Sequence, residues 1–374
     1  MRQALMVAVG TFLVAAPVGP SVPIARDGFD APAVPIAAIS IGPERPATAV
    51  SLQVMTYNVK GLPWPVISDR TAELTAIGDR LAAMQRRGVA PDVVVLQEAF
   101  SDEARAIAVR AGYAHVAYGP DSDGPVLAGP DKPMPDRYRW RGEGFGAYLS
   151  SGLVLMSKYP IVGTRRAAFP RTACAGYDCL ANKGVLLARI MVPGLPTPVE
   201  IVTAHMNSRK PTRTPIPHAN EAFVRQMAAL DRFVAANGDT RLPLIFAADL
   251  NLDSDPQRIA ALRQSSARWS ASRGDARPAA IFAICAKPWK PCRPGIGFAS
   301  IAEGKRNNDW QMSFASRAVT VQPTAAAIRF MPDPAGRTLS DHQAVLVSYR
   351  LSVPTSAGPV LARNATAATP TAKL

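Results

Sequence analysis

The chain has 374 residues, of which 48% are apolar and 19% charged, enough to bury one large core or two smaller ones. That balance excludes an intrinsically disordered protein, and no segment reaches the ~20 consecutive apolar residues of a membrane-spanning helix. The 42 Lys and Arg against 28 Asp and Glu leave a formal charge of +14, which favours an anionic partner, nucleic acid or a membrane surface, without choosing between them.

In chain order, Arg2 followed by the apolar run Ala4 to Ala16 predicts a signal peptide over residues 1–16. Residues 17–49 are rich in Pro and Ala and read as a linker. Residues 50–353 form the expected catalytic body, and residues 354–374 are a low-complexity tail expected to be disordered. Within the body, apolar β-rich runs predict strands at 52–57, 93–96, 153–156, 184–191, 200–204, 244–248 and 344–349. Apolar residues at helical spacing predict helices over 70–85 and 220–237. Strands alternating with helices suggest an α/β fold, a four-layer sandwich in which two packed mixed sheets are flanked by helices.

Four cysteines fit export. They allow three pairings, and two local bridges, Cys174 with Cys179 and Cys285 with Cys292, are the simplest proposal. No CxxC or HxxxH spacing accompanies them, so zinc is not indicated. Two apolar stretches around Ile281, Phe282 and Trp289 and around Ile328, Phe330 and Met331 are candidates either for core packing or for hairpins that dip into a membrane interface. The run Arg137 to Arg141 interleaves cations with aromatics, as a solvated loop or as a headgroup or nucleic-acid contact.

The chemistry gathers at predicted strand ends, where a rigid sheet commonly holds catalytic loops. Asn58 closes the first strand and Glu98 follows the second. His205-Met206-Asn207 follows IVTA, Asp249-Leu250-Asn251 follows IFAA, and Ser340-Asp341-His342 precedes the last strand. Asn58, Glu98, Asp249, Asn251 and Asp341 offer the oxygen atoms a hard cation such as Mg²⁺ requires. His205 and His342 can exchange protons near neutral pH.

The series MTYNVKGLP, VVVLQEAF, GLVLMSKYPI, VTAHMN, AADLN and LSDHQAV resembles the endonuclease/exonuclease/phosphatase superfamily over about three hundred residues. TYNVKGLPWP and CLANKGVLLARI tilt the likeness toward its secreted bacterial sphingomyelinases. The resemblance implies Glu98 as the principal Mg²⁺ ligand, assisted by Asn58 and Asp341, with Mn²⁺ or Co²⁺ as alternative ions. It implies His342 as general base and Asp309 as the group that orients it. Asp249 and Asn251 would hold water and a phosphoryl oxygen, His205 would donate to the developing charge, and Asn182, Lys183 and Asn207 would face the substrate. Two departures stand out: Gln311 follows Asp309 where relatives carry an aliphatic residue, and Ser150-Ser151-Gly152 lacks the acid that partners the first histidine.

The expected function is a secreted or periplasmic monomer that hydrolyses sphingomyelin to ceramide and phosphocholine at a membrane surface. The alternatives are a non-specific endonuclease, for which nucleic acid would be the partner, and a phosphatase of inositol or sugar phosphates. A binding protein on an inactive scaffold is disfavoured because every main catalytic residue type is present.

Overall fold

The computed structural model describes residues 34–36, 48–63, 66–130, 132–135, 137–275 and 278–353. The expected signal peptide, the expected disordered tail and most of the linker lie outside the described residues. Strands β1 (Val34–Pro35) and β2 (Thr48–Asn58) lead to helix α1 (Thr71–Arg86) and strand β3 (Val93–Gln97). Two short helices, α2 (Asp102–Arg105) and α3 (Ile107–Ala111), precede β4 (His115–Tyr118), β5 (Val154–Ser157), β6 (Ile161–Ala168), β7 (Gly184–Ile190) and β8 (Val199–Ala204). Helix α4 (Ile216–Asn237), strand β9 (Leu244–Asp249) and helix α5 (Pro256–Arg273) follow. Strands β10 (Ala279–Ile284), β11 (Arg293–Ile296), β12 (Asp309–Phe314), β13 (Thr320–Arg329) and β14 (Ala344–Val353) complete the body.

The strands form two seven-stranded sheets, ordered β1-β13-β14-β2-β3-β5-β4 and β11-β10-β12-β9-β8-β7-β6. Each is mixed, with a parallel pair at its centre, β2 with β3 in the first and β8 with β9 in the second. Period-two alternation builds the layers. On β2, Leu52 and Val54 enter the core between the sheets, while Met55 and Tyr57 pack under α1 and α3. On β9, Ile245 and Ala247 face the same central core, while Leu244, Phe246 and Ala248 pack under α4 and α5. Strands buried on both faces read as continuous apolar runs, which is why these two were plain in the sequence. The four-layer sandwich is the observed fold.

All seven predicted strands and both predicted helices are present, with ends shifted by up to four residues. The linker is corrected in part: β1 lies inside it, pairing Val34 with Ala326, and β2 begins at Thr48 rather than 50. Strands β10 to β13 and helix α5 were not predicted. Strand β12 hides because Gln311 and Ser313 interrupt its apolar run, although both are buried between layers. Strand β13 carries Pro323 beside a register shift and three consecutive alanines. Helix α5 is largely polar, yet its boundaries are signalled: Asp255 caps the Gln257 and Arg258 amides, Pro256 is the first helical residue, and Gly274 ends the helix at φ 69°.

The two membrane-tip candidates are corrected. Ile281, Phe282, Ile328 and Phe330 are buried in the core because they sit on sheet strands or just beyond one, and Met331 packs beside the central cluster. Trp289 alone of these is solvent-exposed, in the loop between β10 and β11 that the Cys285–Cys292 disulfide closes. The second local bridge, Cys174–Cys179, is also formed.

Gln311 explains its own oddity. Its Nε2 donates to the carbonyls of Val54 at 2.9 Å and Val345 at 2.8 Å on the opposite sheet, and its Oε1 accepts from the Tyr349 hydroxyl at 3.1 Å. It is a tie between sheets. Replacing it with the similarly sized Leu removes these bonds and strands a buried hydroxyl, so Gln311→Leu is expected to lower unfolding free energy by about 1–3 kcal/mol. Urea denaturation measures this, and an unchanged midpoint at unchanged slope would show the ties to be idle.

Candidate active site

The site lies at the ends of the two central parallel pairs. β2 delivers Asn58, β3 delivers Glu98, β8 delivers His205 and β9 delivers Asp249. Glu98 sits at φ +56°, sparsely populated for a non-glycine residue. Such backbone strain concentrates where surrounding structure holds a functional group in place.

The Asn58 amide joins the two sheets. Its Nδ2 donates to Glu98 Oε1 at 2.9 Å and to Asp249 Oδ2 at 2.8 Å, while its Oδ1 accepts from the Lys60 backbone N–H. In this arrangement the amide nitrogen faces the carboxylates, and Asn58 bridges Glu98 and Asp249. Asp341 stands apart from them. It lies outside the carboxylate cluster and pairs with Lys60 Nζ at 3.4 Å. Burial pushes its carboxyl up, but His342, Lys60 and Arg306 together bring it below the usual range.

Ligand atoms of Glu98, His205 and Asp249 lie within 4.8 Å of one another, as do those of Asp249, Asp309 and His342. Asp249 belongs to both groups. Burial pushes the carboxyls of Glu98 and Asp249 upward, and for Asp249 the negative charge of Asp309 adds to it. Buried carboxylates this close demand a compensating cation. Two carboxylates from separate strands suit a hard divalent ion, and the His205 nitrogen tolerates Mn²⁺ or Co²⁺ as well as Mg²⁺.

His342 is held at both nitrogens. Nδ1 donates to Asp309 Oδ2 at 2.8 Å, as expected, and Arg306 Nη2 stands 3.0 Å from Nε2. Burial opposes protonation, yet the carboxylates of Asp309 and Asp249 prevail and push its pKa up to about 10. An adjacent guanidinium suits a neutral ring instead. A guanidinium can only donate, so Nε2 accepts from Arg306 and the ring in this geometry is the neutral form a base requires, while the two carboxylates hold its proton affinity high. Ser340 sets the loop: its hydroxyl donates to the Asn58 carbonyl at 2.7 Å and accepts from the His342 backbone N–H at 3.2 Å.

His205 behaves oppositely. Burial, Lys183 and His342 hold its pKa well below the ordinary value. Its Nε2 lies 3.2 Å from Lys183 Nζ, an ammonium that can only donate, so Nε2 accepts. The Nδ1 atom is buried without a hydrogen-bond partner, consistent with the missing acid at residues 150–152. Lys183 also donates to Asp178 Oδ2 at 2.7 Å and to the Met206 carbonyl at 3.1 Å, so its three N–H bonds are engaged. Asn251 donates from its backbone N–H to Asp249 Oδ1 at 3.0 Å and from its side chain to the Met206 carbonyl at 3.1 Å. Asn182 is buried beside Lys183, donating to the Asp121 carbonyl. Asn207 lies in the wall of the site, where its Oδ1 accepts from Ala175 N–H and its Nδ2 donates to the Ser208 carbonyl.

Sequence reasoning missed Arg306 and Arg258. Arg258 is fully buried under the site, donating to the carbonyls of Asn207, Ser208, Ala219 and Asn251 and to Asn220 Oδ1. Burial lowers its pKa to about 10. An arginine following a Pro-capped helix start carries no signal for such a role. Arg306, two residues before Asn308-Asp309, was closer to a recognisable motif.

Fold and geometry define a class, an α/β-sandwich hydrolase whose ionisable groups converge at the ends of two packed sheets. The chain belongs to the Endonuclease/Exonuclease/phosphatase family, whose pattern matches residues 55–342. It is 29% identical over 221 residues to the putative neutral sphingomyelinase of Drosophila melanogaster, a match that covers 56% of this chain and 41% of that relative. Among solved structures it is similar to sphingomyelinase C from Streptomyces griseocarneus, with a TM-score of 0.52, 20% identity, and coverage of 80% of this chain and 99% of that one. It is also similar to a β toxin of Staphylococcus aureus with bound magnesium ions, with a TM-score of 0.52, 15% identity and coverage of 80% and 99%.

Removing the Asp309 carboxylate takes away the contact that contributes most to the raised His342 pKa, while Asp249 still raises it. In metal-free protein, Asp309→Asn is expected to lower the His342 pKa from about 10, followed by NMR titration of the imidazole. Because the folded pKa is raised, the stabilisation in the parent protein is complete below about 6.5 and lost as pH rises through about 10. The variant should show a smaller loss, and an unaltered titration would remove Asp309 as its cause.

Proposed function

We propose that the chain is an exported, Mg²⁺-dependent phosphodiesterase that hydrolyses sphingomyelin to ceramide and phosphocholine. One observation carries the phosphodiesterase reading: Asp249 is shared between a cation-binding group with Glu98 and His205 and a base-forming group with Asp309 and His342. A phosphodiester resists attack because its anion repels the nucleophile, so charge neutralisation and a positioned base are both required.

Glu98 and Asp249 would hold the divalent ion, which supplies a Lewis acid and offsets the phosphate charge. His342, with Nδ1 fixed by Asp309, presents Nε2 as the atom that removes a proton from the attacking water. Arg306 and Lys183 supply fixed positive charge on two sides of the reacting phosphate. Water then attacks phosphorus opposite the leaving alcohol, and the ester P–O bond breaks to give ceramide.

The lipid substrate is favoured by the Asn182-Lys183-Gly184 segment beside His205 and by the likeness to the Drosophila melanogaster relative. The β10–β11 loop adds support. Gln343, next to His342, accepts from the Cys292 N–H and donates to the Lys290 carbonyl, which anchors exposed Trp289 and two lysines on the same side as the base. A half-exposed tryptophan with lysines suits a membrane interface. Two disulfides support an oxidising, extracytoplasmic location.

Purified protein is expected to release phosphocholine from sphingomyelin vesicles with Mg²⁺, to stop in EDTA and to recover on Mg²⁺ addition. Supercoiled plasmid in a parallel tube should remain intact; nicking without phosphocholine release would replace this reading with the nuclease one. His342→Ala is expected to reduce turnover by about 10²–10⁴-fold.

A further inference from the structure

Beyond Lys183 the active-site wall opens into a cavity of about 280 Å³ that the reaction above does not use. Its sides are the Gly144–Ala147 turn, Phe169 to Arg171, the Cys174–Cys179 disulfide and Asn182-Lys183. Two guanidinium groups lie along its mouth. A Cβ on Gly144 would come 3.1 Å from Arg137 Nη2, and one on Gly146 would come 3.4 Å from Arg171 Nη1, so each glycine leaves space for an arginine head. Among the described residues neither arginine has a carboxylate partner.

The acids of this wall are committed elsewhere. Asp178 takes Lys183 Nζ and both the N–H and hydroxyl of Ser208. Glu143 points inward, where its Oε1 accepts from Gly176 N–H at 2.8 Å and lies 2.8 Å from His218 Nε2, and its Oε2 accepts from Tyr138 N–H at 2.9 Å. Among the described residues the cavity thus presents two cations and no unspent carboxylate. Exposed aromatic side chains stand on the same loops: Trp140 is 94% exposed, Tyr148 68%, Phe145 54% and Tyr177 46%. Arginine forks match phosphate oxygens, and exposed aromatic rings beside them fit a lipid–water boundary.

We propose that this cavity is an anion subsite that takes a phosphate group other than the one being cleaved, with Arg137 and Arg171 as its donors. That phosphate comes either from the headgroup of an anionic phospholipid lying beside the substrate or from a second phosphate on a soluble substrate. The subsite goes beyond the hydrolytic reading and is testable by binding alone.

The test uses the full chain in EDTA, sedimented with phosphatidylcholine vesicles and with vesicles also containing phosphatidylglycerol. In parallel, inorganic phosphate is titrated calorimetrically. The double variants Arg137→Gln/Arg171→Gln and Arg139→Gln/Arg141→Gln each remove two positive charges, the first pair at the cavity and the second on the neighbouring exposed turn. The lipid source predicts that the parent binds the anionic vesicles about tenfold or more tightly than the neutral ones. That gain should vanish in the cavity variant and persist in the turn variant, with matching melting temperatures. A soluble source predicts instead that inorganic phosphate binds the parent and the turn variant, not the cavity variant, with no vesicle preference. Equal losses in both variants, losses in neither, or no binding of either probe by the parent would overturn the subsite. Sphingomyelin hydrolysis is scored separately, so an inactive protein that passes the binding test refutes the hydrolytic reading and leaves the subsite standing.

Discussion

The site depends on a neutral amide set between two buried carboxylates. Glu98 and Asp249 come from different sheets, and burial alone disfavours charge on either. Asn58 spans the gap with both N–H bonds of one nitrogen, so the two acids are held at a fixed separation from which a cation can be shared. The requirement propagates outward. Glu98 reaches the amide from a left-handed backbone, and Ser340 clasps the Asn58 carbonyl, which brings the His342 loop onto the same strand end. A change at Asn58 would therefore disturb cation site and base together.

A second arrangement supports the first from below. The loops after β8 and β9 expose carbonyl groups that the sheet ladder no longer satisfies, and buried carbonyls need donors. Arg258 supplies them, reaching four carbonyls and one side-chain amide from the first turn of α5. Arg306 does related work on the opposite side, touching the Asp341 carbonyl and His342 Nε2. The site is thus a layer of acids enclosed by arginines whose hydrogen bonds shape backbone rather than merely balance charge.

What could be read from the sequence follows from these roles. Glu98 and Asp249 were legible because a polar residue at the end of a doubly buried strand has few structural uses. The central strands were legible because burial on both faces demands unbroken apolar runs. Strand β12 was not, since Gln311 and Ser313 sit inside the sandwich as buried polar residues, and the Gln311 partner Val54 is hundreds of positions away. Which atoms Asn58, Asn207 and His205 use was equally hidden. An asparagine offers both an acceptor and donors, and a histidine either, so residue type fixes the inventory but only neighbouring groups decide which atom is used. Lys183 decided it for His205.

Charge is sorted by direction as well as by residue. Asp178, Glu143, Asp249 and Asp309 all turn inward onto N–H groups, histidines or lysine, while Arg137, Arg139, Arg141 and Arg171 turn outward on the neighbouring loops. The outward arginines thus present part of the +14 excess directly to an approaching ligand. Such a surface draws any polyanion by long-range attraction, and within about 10 Å, the screening length near 0.1 M salt, individual arginines begin to matter. Discrimination between a bilayer and a nucleic acid must then come from groups that net charge does not describe. The exposed rings of Trp140, Phe145, Tyr148, Tyr177 and Trp289 are such groups, offering apolar contact to lipid chains or a stacking face to bases.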